Sequence, residues 1–240
     1  MSRLDDVTRR AASAGGAVLA TGTRALAAVR PAAKPLHPRG SVAQARLYRH
    51  GLQPPLGVEF LDTVSTDDVV VRESRSVGLP GWLPDIHGLA IKVTNPDGSH
   101  GDLLFSTTGL GRVTRYALTL SLSQYGRPMT TLLPYRTPAG PVLLGARSSG
   151  GSTVEILCAV GDGDWRHVAD LRLSYLEAED QSVSFDPVRN QVPGLEQYGW
   201  VRRLRAPAYV TARRSRGEGA VGATGDSGPG AGPAASPPRP

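Results

Sequence analysis

Cysteine is nearly missing from this chain: Cys158 is the only one in 240 residues. A single thiol excludes an intramolecular disulfide framework and any zinc site built on cysteine. Long apolar runs are missing too. No stretch approaches the ~18 residues that cross a bilayer as a helix, and the longest uncharged N-terminal stretch, residues 11–23, is mostly Ala, Gly and Thr. Asp5 and Asp6 precede it, which argues against a secretory signal. A cytoplasmic protein without a transmembrane segment is the expectation. Aromatic residues are absent from both ends, since all 3 Trp, 7 Tyr and 3 Phe fall between Tyr48 and Tyr209.

Blocks of like charge are absent as well, although the chain carries net +6. Arg3, Arg9, Arg10, Arg24, Arg30 and Lys34 face only Asp5 and Asp6 in the first 36 residues. Arg213, Arg214, Arg216 and Arg239 face only Glu218 and Asp226 in the last 28. The excess is therefore terminal and the middle is neutral. A basic face that reads a nucleic acid has no source in such a pattern, and no nucleic-acid partner is expected.

Residues 1–33 read as a helical arm, with Leu4, Val7, Ala11, Ala14, Val18 and Ala25 loosely on one face. It could pack on its own domain, pair two copies into a homodimer, or lie on a membrane surface. Residues 215–240 alternate Gly, Ala, Pro and Ser and read as a disordered tail, because they have too little apolar bulk to offset ordering entropy. Residues 34–214 form the domain. Within it, 41–48, 68–73, 89–94, 102–107, 142–146, 154–160 and 168–175 are short Val-, Leu- and Ile-rich pieces with partial alternation. Asn95-Pro96-Asp97-Gly98 and Gly161-Asp162-Gly163-Asp164 are turn signals between them. Short strands at close spacing predict an antiparallel barrel or sandwich. After Phe185-Asp186-Pro187 the character turns helical, from about Leu195 to Arg214.

Common site signatures are also lacking: no P-loop, no G-x-G-x-x-G after a strand, no H-E-x-x-H and no G-x-S-x-G. Asp162 and Asp164 lack the rest of a calcium loop and read as a hairpin tip. Asp85 and His87 offer two metal ligands without neighbours to complete a set, and read as a structural turn.

What is present is an ordered series. His37-Pro38-Arg39-Gly40 opens the first strand, followed by Val70-Val71-Arg72-Glu73-Ser74 and by Asp85-Ile86-His87-Gly88-Leu89-Ala90-Ile91-Lys92. Gly101-Asp102-Leu103-Leu104-Phe105, Phe185-Asp186-Pro187 and Arg205-Ala206-Pro207-Ala208-Tyr209 complete it. In order and spacing the series resembles the haem-barrel core of the catalase superfamily, over roughly residues 30–214, as a divergent member. That superfamily shows H-x-K/R-G, V-R-x-S, D-x-R-G-x-A-x-K, D-L and R-x-x-x-Y in turn. The nearest likeness is to small single-domain catalase-like proteins.

The resemblance implies an α+β fold: an antiparallel β-barrel of the catalase-like type with flanking helices and a C-terminal helix. It also implies haem b, and no other metal is expected. Tyr209 would be the proximal iron ligand, with Arg205 four residues away on the same helical face favouring the tyrosinate. His37 would be the distal acid–base, Ser74 its hydrogen-bond partner, Arg72 a contact to a haem propionate, and Thr107 the residue at the distal asparagine position. The implied substrate is hydrogen peroxide or an organic hydroperoxide.

Three departures bear on activity. Threonine donates one hydrogen bond from a shorter arm than asparagine. His87 replaces the arginine of the D-x-R-G segment, and Leu110-Gly111-Arg112-Val113 stands where catalases carry an aromatic pair. A peroxidase or hydroperoxide-converting oxidoreductase is therefore expected rather than a fast catalase. The alternatives are a phosphodiesterase-type hydrolase drawing on His37, Asp85, His87 and Asp102, or a haem-less interaction module.

Overall fold

The computed structural model describes residues 39–76, 78, 80, 82–178 and 183–203. The arm, the tail, His37, Arg205 and Tyr209 lie outside the described residues. Ten strands are described: β1 (Arg39–His50), β2 (Val64–Arg75), β3 (His87–Thr94), β4 (His100–Thr107), β5 (Met129–Thr130), β6 (Tyr135–Thr137), β7 (Gly140–Gly150), β8 (Thr153–Val160), β9 (Arg166–Ala178) and β10 (Glu196–Gln197). Helix α1 (Glu59–Asp62) and a 3-10 turn, Thr114–Tyr116, lie between strands, and residues 199–203 are helical.

Every neighbouring pair is antiparallel. Strand β1 pairs with both β2 and β9, and β7 with both β5 and β8, so the ring β1-β2-β3-β4-β5-β7-β8-β9 closes on itself. This is a closed eight-stranded barrel, and closure removes the exposed edges that an open sheet would carry. Strand β6 continues on the same edge of β7 as β5, and β10 pairs with β6.

Alternation decides which side chains fill the barrel, because successive residues of a strand point to opposite faces. Ala45 and Leu47 of β1, Val69 and Val71 of β2, Leu89, Ile91 and Val93 of β3, and Leu103 and Phe105 of β4 point inward. Leu144, Val154, Ile156, Cys158 and Leu171 meet them from the far wall. The interior is thus packed with apolar side chains, and burial pushes the Cys158 thiol up to about 11. One end of the barrel is plugged by Leu52, Leu56, Val58 and Leu61 from the α1 connection and by Val192 and Leu195.

Both expected turns form. Gly98, at φ +80°, donates its N–H to the Asn95 carbonyl at 2.9 Å between β3 and β4. Gly161, at φ +54°, opens the β8–β9 turn. The helix expected from about Leu195 begins later. Glu196–Gln197 is a short strand on β6, where the Gln197 side chain donates to the Pro187 carbonyl at 2.7 Å. Tertiary pairing overrides local helical propensity there. Among the described residues no helix is long and apolar enough to cross a membrane.

Candidate functional site

Directly opposed residues in antiparallel strands share a face, so the register of β1–β4 lays out the outer wall. One row reads Gly40, Ser74, Gly88 and Ser106; the next reads Val42, Arg72, Ala90 and Leu104. The first row has no side chain larger than serine, and the second holds one cation among apolar groups. Together they make a shelf of small and apolar residues, in which Val42, Ser74 and Gly88 are buried and Arg72 is half-buried. Ser74 is buried, its hydroxyl 3.5 Å from the Gly88 carbonyl oxygen.

Thr107 lies elsewhere. It belongs to the inward-facing row with Arg75 and His87, at the barrel end opposite the plug. Its hydroxyl accepts the His87 backbone N–H at 3.2 Å and donates to the Thr119 carbonyl at 2.7 Å. The one proton a threonine can donate is committed to holding the 107–121 connection against β3. The structure therefore joins Arg72 to Ser74 but places Thr107 on the other side of the wall.

Polar groups crowd this end of the barrel. Asp85 is fully buried; it accepts the Ile86 N–H at 2.7 Å and the Gly78 N–H at 2.8 Å, and lies 3.5 Å from Arg75 Nε. Arg75 also donates to the carbonyls of Leu83 at 3.0 Å and Pro80 at 3.3 Å. His87 is buried, with Nε2 3.1 Å from the Ser121 carbonyl. A carbonyl only accepts, so Nε2 carries the proton, and Nδ1 is buried with no hydrogen-bond partner among the described residues. Tyr125 donates to the Glu73 carboxylate. Glu73 fills the unspecified position of V-R-x-S and Arg75 lies just past it, yet period two from Val69 and Val71 aims both at the interior, and charges at inward positions were a readable signal.

The hydrolase grouping does not assemble. Asp102 sits on the outer face opposite Lys92, whose Nζ is 2.6 Å away. It also accepts the Asp186 N–H and the Asn190 side-chain N–H, each at 2.7 Å. Thr107, the β4 partner of His87, is five residues along the strand, about 17 Å at ~3.4 Å per residue. Asp85 and His87 are thus remote from Asp102. Asp102 is a clamp that fastens the Phe185-Asp186-Pro187 segment to the wall, and Lys92 stacks on Phe185 at 4.9 Å.

The closed eight-stranded antiparallel barrel has a catalase-like fold. The comparisons agree. The chain is similar in structure to catalase A from Saccharomyces cerevisiae, with a TM-score of 0.55 and 12% identity over 75% of this chain and 60% of that one. A fungal catalase gives 0.54 at 14% identity, over 81% and 61%. A bacterial catalase gives 0.51 at 12% identity, over 75% and 56%. The chain therefore spans less than two thirds of the length of these catalases. No protein-family model matches it, and no curated protein matches it by sequence.

Proposed function

We propose that the chain binds haem b against the outer shelf of β1–β4 and acts on hydrogen peroxide or organic hydroperoxides, as a peroxidase or hydroperoxide-converting enzyme. The observation that carries the reading is the shelf itself. Its first row holds no side chain larger than serine, and Arg72 stands in the second, where it would pair with a propionate. Ser74, in the row beside it, would orient His37, and Tyr209 with Arg205 would supply the iron ligand. Haem iron, when bound, supplies the redox chemistry that cleaves a peroxide bond.

The chain's own part is proton handling. The His37 imidazole would take a proton from one peroxide oxygen and return it to the other. A second donor to hold the peroxide is what the distal asparagine would provide. Thr107 has given its proton to Thr119, which supports slow turnover rather than catalase rates.

The test is the absorbance spectrum of the protein purified from cells supplied with haem. A Soret band of the tyrosinate type that is lost in Tyr209→Phe is the expected result. A colourless protein that takes up no added haemin would overturn the proposal.

A further inference from the structure

Two histidines and an aspartate meet on the outer wall where β1 crosses β9. Strand β9 carries a bulge: Ala169 opposes Ile156 but His167 opposes Leu157, so Val168 is an extra residue. On a regular strand His167 and Asp170, three apart, would point to opposite faces. The extra residue puts both on the outside, which is the kind of re-aiming a bulge performs. Tyr48 opposes Asp170, and His50 lies two residues beyond Tyr48 on that same face.

The three side chains converge. Asp170 Oδ2 is 3.2 Å from His50 Nε2, and Asp170 Oδ1 is 2.9 Å from His167 Nε2. The two rings meet edge to face, centroids 4.8 Å apart. One ligand atom from each residue falls within 4.8 Å of the other two. Zinc holds imidazole nitrogen and carboxylate oxygen at ~2.0–2.2 Å in a tetrahedron, which sets ligand atoms roughly 3.3 Å apart. Each imidazole already lies at about that distance from one of the two Asp170 oxygens, and rotation of the exposed imidazoles brings one atom from each residue to that spacing.

We infer that His50, His167 and Asp170 form a binding site for a divalent transition metal of the zinc class, with three protein ligands and water at the open position. Imidazole with carboxylate suits Zn²⁺ over the hard cations Mg²⁺ and Ca²⁺. The His167 Nε2 proton, shared between Asp170 and the Ala169 carbonyl at 3.1 Å, is displaced when the ion enters. Both histidine side chains are 43% exposed, so the ion has an open path. The site is independent of the shelf and of the haem reading.

The test is Zn²⁺ binding to the untagged full chain, stripped of metal and titrated in competition with a chromophoric chelator. One equivalent is expected. His50→Ala, His167→Ala and Asp170→Asn each lower affinity by more than the ~10–100-fold that losing a mere supporting partner costs. His100→Ala leaves affinity unchanged. Circular dichroism reports whether each variant keeps its fold, and Co²⁺ in the unmodified chain gives intense visible bands if the site is four-coordinate. Absence of a Zn²⁺ equivalent in the unmodified chain would overturn the inference. So would undiminished binding in a folded His50→Ala, His167→Ala double variant.

Discussion

At the scale of single residues, the most consequential side chain outside the shelf is Asp102. It is buried, and it answers three donors: Lys92, the Asp186 N–H and the Asn190 amide. Removing one partner of a buried pair leaves the other charge uncompensated, at a cost of ~3–5 kcal/mol. Asp102→Ala should therefore lower stability by about that amount, read from the urea midpoint. A loss below about 1 kcal/mol, the range of an exposed ion pair, would show that the clamp is ornamental. The D-L motif was legible in the sequence, but its role was not. The sequence cannot say that Lys92 stands across from Asp102, so a carboxylate in a motif looks the same whether it is a metal ligand or a fastener.

At the scale of elements, seven strand pieces were readable because Val, Leu and Ile recur on one face long enough to register. Strands β5, β6 and β10, of two or three residues, are too short to carry a period; β5 and β6 form on an edge of β7, and β10 forms on β6. The bulge at Val168 was equally hidden, and with it the meeting of His50, His167 and Asp170. Backbone fit is tight where the plug meets β4. A Cβ on Gly101 would stand 2.5 Å from Val192 Cγ2 and 3.2 Å from its Cα. Gly101→Ala must push the 190–195 segment off the barrel end, and overpacking of this kind costs ~1–3 kcal/mol. A lowered melting temperature checks it; an unchanged one would mean that the plug yields freely.

At the scale of the whole molecule, the barrel separates three jobs. Its interior is packed and supplies stability. Its β1–β4 outer wall is a shelf, and its β1–β9 wall carries the histidine pair. The shelf was only partly legible. Arg72, Ser74, Gly88 and Ala90 stood in motifs and Ser106 did not, but they became one surface only once the register aligned them. Thr107, read as the residue at the distal asparagine position, points to the face opposite Ser106, because one step along β4 changes sides. The central claim, that haem lies on this wall, is tested most directly by haemin titration of Ala90→Trp, which fills the second row of the shelf. The unmodified chain should take up one haemin per chain, Ala90→Trp should keep its fold but take up none, and Arg172→Trp on β9 should bind as before. Full uptake by a folded Ala90→Trp would contradict the account.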